Sequence, residues 1–407
     1  MKSVSDVIVV GGGPCGSFTA LNLAKHGANV TVLEEHEEIG VPSHCAGHLS
    51  LKGLRRLGLC PLPSGIVENL FCGATFHSPS GKTFSVRFSS PVTCAVNRSF
   101  FDKHLALLAE KAGADYQLGS RVESLVIKDG FVKGVIVNRD GDIEEYVAKI
   151  IVDAEGISSR LLRQTGLSVL DRRWLVNGVE AEVENVRNVQ SDNVEVFLGN
   201  DFAPGFYGWL IPKGGGEAKV GLGTRTGNPK ELLQRLMSEH PTASKKLNKA
   251  IIKHMAFHPI SLGGPIKDAS SNGFLVIGDA ASHVKSTTGG GIILGLTCSA
   301  LAAEAALEAL QKEDCSSTRL GSYDKSCRKA LGFDAKIMFR MRKMLDALSD
   351  AQIEGVIDFC GRYGLDKVLL SVKDLDFQGR AILHILRNPR VLMALSYLFR
   401  VYLSANP

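Results

Sequence analysis

The chain is poor in the features that would make it easy to classify. None of its nine cysteines stands in a C-x-x-C pair, and nine is an odd number. That argues against a disulfide framework or a zinc site and for free thiols in a reducing cytosol, so no metal is expected. Aromatic residues make up only 7% of the chain. No basic cluster is interleaved with them, which sets nucleic-acid binding aside. Residues 1–6 lead straight into an apolar strand, with no hydrophobic signal core and no small-residue cleavage site, so we expect a cytoplasmic rather than a secreted protein. There is no low-complexity linker and no repeat. What is present is ordinary: 44% hydrophobic and 22% charged residues and a net charge of +5. This describes a globular protein, neither disordered nor polytopic, whose mild positive charge favours an acidic partner protein or an anionic lipid surface. A length of 407 residues implies two or three packed units.

The first forty residues are the most informative. Asp6-Val-Ile-Val-Val10 is too short for a helix and reads as a buried parallel strand. Gly11-Gly12-Gly13-Pro14-Cys15-Gly16 follows at once, then a helical pattern over 17–26, then a second strand over 29–33 ending in Glu34-Glu35. Each part has a task in dinucleotide binding. Gly11 makes the tight turn, Gly13 lets backbone N–H groups approach a pyrophosphate, and Gly16 lets helix and strand pack closely. The helix N-terminus offers partial positive charge to the phosphates. Glu34, 18 residues beyond Gly16, stands where a ribose-binding carboxylate is expected.

A second glycine-rich element selects FAD over NAD. Gly273-Phe-Leu-Val-Ile-Gly278-Asp279-Ala280-Ala281 is another short buried strand ending in Gly-Asp. Thr287-Thr288-Gly289-Gly290-Gly291-Ile292 and an alanine-rich helix over 293–311 come next. This resembles FAD enzymes of the para-hydroxybenzoate hydroxylase type. The resemblance implies Asp279 as a ribityl ligand and backbone contacts to the flavin from Gly291 and Ile292. It also implies Arg98, in Val96-Asn97-Arg98, near the phosphates or adenosine, and Val122 near the adenine. Asp153-Ala154-Glu155-Gly156 resembles the Asp-Gly fingerprint of these flavoproteins, but Glu155 replaces its aspartate, which weakens the case for NADPH binding there. A helix cap for Asp279 and a surface salt bridge for Arg98 are the plainer alternatives.

The remainder divides by pattern. Residues 71–77 and 83–88 read as a hairpin, and 121–128 with 131–138 as a stronger one about Asp129-Gly130. Residues 175–224 are strand-rich, and 316–407 look helical. The expected fold is α/β, α+β overall: a Rossmann-type FAD-binding domain, an inserted antiparallel-sheet substrate domain and a helical C-terminal region. We place the discontinuous FAD domain at 1–66, 92–167 and 272–315, the sheet domain at 67–91 and 168–271, and the helical region at 316–407.

Two further motifs narrow the family. Glu38-Ile39-Gly40-Val41-Pro42-Ser43-His44-Cys45-Ala46-Gly47-His48 follows the second strand, and Pro204-Gly205-Phe206-Tyr207-Gly208-Trp209-Leu210-Ile211-Pro212 lies in the sheet region. Together they closely resemble the geranylgeranyl reductase family, and most nearly its archaeal digeranylgeranylglycerophospholipid reductases. The resemblance covers about the first 300 residues well and the tail loosely. His48 departs from it, standing where a glycine is expected. It implies reduction of isolated alkenes in the geranylgeranyl chains of a prenylated glycerol phospholipid, by hydride from reduced flavin. Pro14, Cys15, Cys45, Ala46 and His48 would join the cofactor contacts, Cys45 also positioning the alkene or relaying a proton. An unactivated alkene offers no carbonyl to polarise, so its site must exclude water and hold the double bond tightly. Tyr207 and Trp209, two apart on a strand, suit a wall along an apolar chain, although core packing would explain them equally.

Residues 390–403 are very apolar but far short of the roughly 20 needed to span a bilayer. With Arg380, Arg387, Arg390 and Arg400 they suit a helix peripheral to the inner face of the cell membrane, or a core or dimer helix. Met338, Met341 and Met344 would line an adaptable apolar surface. The electron donor stays open between a ferredoxin and NAD(P)H, because the chain has no second dinucleotide fingerprint. The competing functions are an FAD-dependent monooxygenase or halogenase of the same fold, and a non-catalytic flavin electron carrier.

Overall fold

A computed structural model describes residues 4–372, 374–385, 393 and 396. The chain forms two compact units. The first comprises Met1–Ser43, Arg98–Trp174 and Ser261–Ala335, and the second His44–Asn97, Leu175–Ile260 and Lys336–Pro407. The segment 390–403 lies outside the described residues except for positions 393 and 396.

The first unit is built on the strand Val4–Val10, whose Val7, Ile8 and Val9 are fully buried. Burial on both faces is the condition of a central parallel strand, and it explains the unbroken apolar run. Its parallel neighbours are Val30–Leu33 and Asp142–Asp153. The sheet runs from Ser270–Ser271 through Phe274–Val276, Asp142–Asp153, Val4–Val10 and Val30–Leu33 to Asp115–Gln117. Arg121–Lys128 and Phe131–Arg139 extend it antiparallel. Asp129 and Gly130 both have positive φ, 51° and 75°, as a two-residue primed hairpin turn requires. Asp140 and Gly141 repeat the device at 53° and 95° and lead into Asp142–Asp153, a 12-residue strand that the sequence pattern alone does not single out.

Two helices pack behind the glycine loops. Pro14–Ala24 begins with proline in its first turn, where the missing N–H costs nothing. Ile292–Gln311 is long and apolar enough to cross a membrane. It serves instead as core: Cys298, Ala302 and Ala306 are buried, and Gly295 admits the Cys15 sulfur from the first helix.

The second unit centres on a seven-stranded sheet. Its order is Ile251–Ser261, Leu175–Glu184, Glu217–Thr224, Gly208–Gly214, Asn193–Phe197, Gly73–His77, Thr83–Arg87. Neighbours are antiparallel where Leu175–Glu184, Glu217–Thr224, Gly208–Gly214 and Asn193–Phe197 meet, while Asn193–Phe197 joins Gly73–His77 in parallel. A small sheet of His48–Ser50, Thr93–Val96 and Val67–Phe71 completes the strands. Phe84 and Val86 of the hairpin bury against Ile357, Leu365 and Val368, so the tail helices Asp350–Arg362 and Leu365–Leu369 form part of this core. Met338 is buried, and Met341 and Met344 are half-buried.

The α/β class, with a Rossmann-type N-terminal unit, an antiparallel-sheet unit and a helical C-terminal region, is the one expected from the sequence.

Candidate functional site

The first unit holds a backbone cradle. Gly11 has φ +101°, and a Cβ there would lie 2.5 Å from the Ala154 carbonyl oxygen. At Gly16 a Cβ would lie 1.9 Å from the Gly11 oxygen, so only glycine lets the helix meet the loop. At Gly13 a Cβ would meet nothing within 4 Å. Gly13 is also the N-cap of Pro14–Ala24; no side chain caps that end and no acidic residue stands in its first turn. A helix start without a side-chain cap, together with the helix dipole, favours an anion there.

Glu34 ties the cradle together. Its Oε2 accepts the Gly12 N–H at 2.7 Å, and its Oε1 accepts the His36 N–H at 3.0 Å and faces His36 Nδ1 at 2.6 Å. Cys15 lies between two later glycines: a Cβ at Gly278 or Gly295 would approach its sulfur to 3.1 or 2.6 Å. Burial, reinforced by the Asp279 charge, pushes its thiol up to about 12. Asp279 sits inside the turn Gly278–Ala281, whose N-cap is Ile277. Gly291 caps Ile292–Gln311 without a side chain, and a Cβ on it would come 3.1 Å from an Asp279 carboxylate oxygen. Asp279 is the N-cap of neither element, and its carboxylate stands beside the glycine-capped start of Ile292–Gln311.

The remaining expected contacts of this unit are more local. Arg98 forks onto Asp102 in its own helix at 3.0 and 2.9 Å. Val122 is buried, with its carbonyl accepting from Arg160 at 3.1 Å. Glu155, the residue that departs from the Asp-Gly fingerprint, accepts the Leu161 N–H at 2.7 Å and so closes its loop. Burial and the neighbouring Glu155 charge raise the Asp153 carboxyl well above its usual range.

Among the described residues, one cluster has ligand-type side chains. The donor atoms of His283, Cys298 and Cys327 lie within 4.8 Å of one another. Burial lowers His283 to about 4 and pushes the Cys298 thiol up, with Cys327 beside it adding to the rise.

In the second unit the structure brings the two remaining motifs together. Ala46, beside Cys45, packs with Trp209 against a cluster of Phe71, Ala95, Val194 and Ile211. Tyr207 precedes the strand Gly208–Gly214 and Trp209 lies within it, their rings edge to face at 6.0 Å. The Trp209 ring lies against Gly221 of the neighbouring strand, where a Cβ would come within 2.5 Å of it. Gly223 makes the same space for Phe206, at 2.6 Å. Glycines two apart in a strand are a signal that the motifs alone do not carry: they are shelves for aromatic rings. Burial pushes the Tyr207 hydroxyl well above its ordinary value, so it stays protonated. Cys45 is half-buried. His48 fills the place of an expected glycine by pairing its Nε2 with Thr93 Oγ1 at 2.7 Å and setting its ring edge-on to Phe71.

Comparison with known proteins assigns the family. A model of the FAD-binding domain family matches residues 4–332. A digeranylgeranylglycerophospholipid reductase of Methanopyrus kandleri is 31% identical, covering 97% of this chain and 99% of its own. The chain belongs to the digeranylgeranylglycerophospholipid reductase family. A family member from Methanocaldococcus jannaschii is 33% identical over 89% of this chain and 92% of its own. A crystal structure of a geranylgeranyl bacteriochlorophyll reductase-like protein from Thermoplasma acidophilum superposes with TM-score 0.87 at 28% identity, covering 98% of this chain and 100% of that one. A flavin-dependent brominase shares the fold alone, with TM-score 0.69 and 18% identity over 98% and 94% of the two chains.

FAD is accordingly the cofactor, and the cradle fits it. Two helix N-termini capped by glycine, open space at Gly13, and a turn that a Cβ at Gly11 or Gly16 would fill suit a pyrophosphate lying on backbone amides.

Proposed function

We propose that this protein is an FAD-dependent reductase that hydrogenates the geranylgeranyl double bonds of prenylated glycerol phospholipids. The observation that carries this reading is the meeting of the Cys45 loop with Trp209 in one cluster, in a chain of the digeranylgeranylglycerophospholipid reductase family. When bound and reduced, the flavin supplies hydride to one alkene carbon. The backbone at Gly11, Gly13, Pro14, Cys15 and Gly16 receives the pyrophosphate, with Arg98 nearby, Glu34 the ribose, and Val122 the adenine. Asp279 takes the ribityl chain, and Gly291 and Ile292 the flavin ring.

The chain's own side chains then handle an unreactive, greasy substrate. Tyr207 and Trp209 wall the isoprenoid and keep water out, which an alkene without a polarising carbonyl requires. Cys45 acts at the alkene, holding it in register or passing on the proton that must reach the second carbon. Ala46 and His48 fix the ends of its loop. Electrons come from a ferredoxin or NAD(P)H, and the net charge of +5 suits an acidic protein donor. A membrane-resident substrate and the apolar segment 390–403 support a cytoplasmic protein peripheral to the inner face of the membrane.

The test is anaerobic incubation of dithionite-reduced protein with digeranylgeranylglyceryl phosphate, followed by product mass. Addition of hydrogen pairs is the expected result. Unchanged lipid mass beside a flavin that stays reduced would sink the reading.

A further inference from the structure

Lys219 is one of the most deeply buried charged groups in the second unit, 3% exposed. It lies on Glu217–Thr224 opposite Ile211, two residues before Gly221, the shelf for Trp209. A buried ammonium survives only where its charge and its three donors are answered. Here the charge is answered by Glu68, whose Oε2 stands 2.7 Å away and whose side chain is itself only 11% exposed. Two of the donors go to backbone carbonyls, Val96 at 3.1 Å and Ala46 at 3.3 Å.

Ala46 is the residue next to Cys45, and the contacts around it form a set. His44 stacks on the His258 ring with centroids 4.0 Å apart. The Gly47 carbonyl accepts the Val96 N–H at 2.9 Å. His48 pairs with Thr93. The loop is thus fastened at 44, 46, 47 and 48, and the Cys45 side chain is carried between these fastenings. Lys219 differs from the others because it grips both sides at once: the loop through Ala46 and the strand Thr93–Val96 through Val96. It also joins that loop to the strand beneath Trp209.

We propose that Lys219, held by Glu68, is a positioning residue that sets the place of the Cys45 thiol relative to Trp209. This rests on the reading of Cys45 as the residue acting at the alkene, and it supplies a charged anchor for it. Loss of the ammonium would free the Ala46 carbonyl and loosen one loop rather than the whole unit, because the remaining fastenings are untouched.

The experiment uses full-length, FAD-loaded protein and follows alkylation of each cysteine by iodoacetamide, resolved by peptide mass. In Lys219→Met, Cys45 should react faster by roughly threefold or more, as expected for a local opening, while Cys60 and Cys72 of the same unit keep their rates. In the lipid assay Lys219→Met should lower kcat rather than raise KM, and should cost nothing further in a Cys45→Ala background, since two changes acting through one group are not additive. Should Lys219→Met fail to fold, the Glu68→Gln/Lys219→Met pair removes both charges together and is put through the same measurements. An unchanged Cys45 rate in whichever variant folds would overturn the proposal, as would an equal rise at Cys45, Cys60 and Cys72. A wild-type protein that does not reduce the lipid would count against the reductase reading alone, because the alkylation rates report on Lys219 independently.

Discussion

The glycine cradle of the first unit and the cysteine loop of the second reach fixed geometry by opposite means. In the cradle, atoms are missing: Gly11, Gly16, Gly278 and Gly295 each leave a space that a methyl group would occupy. The shape is carried by backbone, with Glu34 as the main side-chain tie. In the cysteine loop, side chains do the holding, and they come from afar in sequence: Lys219 to Ala46, His258 to His44, Thr93 to His48. A backbone device must be written within a few consecutive residues, whereas a side-chain clamp can be assembled from anywhere. The first is therefore compact in sequence and severe in its demands, and the second is dispersed and graded.

Three changes probe that contrast, taken from the largest expected effect. Gly16→Val should break the cradle outright. Its Cβ would meet the Gly11 carbonyl at 1.9 Å, and backbone cannot step aside, so a loss of about 3 kcal/mol or more is expected. Flavin absorbance of the purified protein and urea denaturation would measure it; a fully flavinated, stable variant would break the comparison.

Gly221→Ala places the same kind of obstacle in the unit held by side chains. A Cβ there would lie 2.5 Å from the Trp209 ring and 2.5 Å from the Val179 carbonyl oxygen. The ring can shift although the carbonyl cannot, so about 2 kcal/mol of destabilisation is expected, with FAD retained. Urea denaturation with flavin content measured alongside would show it, and loss of FAD as in Gly16→Val would erase the distinction.

The smallest effect is a pH dependence. His240 is fully buried, with ring contacts to Phe197 and Phe202, and its Nε2 meets the Ser78 carbonyl at 3.1 Å. Burial lowers it from 6.5 to about 4. A histidine lowered in this way is neutral when folded and takes up a proton on unfolding. Its contribution to stability is therefore intact above about pH 6.5 and falls as pH drops toward 4. His240→Gln should flatten this slope between pH 6.5 and 4 while leaving part of it to His283, which burial also lowers to about 4. Denaturation midpoints across that range decide it; an unchanged slope would show that His240 is not among the groups responsible.

Much of the fold and half of the candidate site can be read from the sequence. The strand, glycine loop, helix and terminal Glu34 stand in the order in which they are used, and the Asp129-Gly130 turn announces its hairpin. The strand Asp142–Asp153 is harder to see, because Asp142, Glu144 and Glu145 make its start look like exposed loop. Gly221 and Gly223 are silent for another reason: a glycine in a strand states that something approaches without saying what. Lys219 and Glu68 are the least legible, since a lysine and a glutamate read as surface residues until burial is known.

The sequence by itself determined the family, the cofactor and the cradle, because backbone conformation is a local property and its requirement for glycine is absolute. The tertiary structure decided which distant side chains hold the loop that carries Cys45, that Trp209 lies on Gly221, and that the apolar helix Ile292–Gln311 is core. Those outcomes depend on register and burial, which are set by the whole sheet at once and by no short stretch of residues.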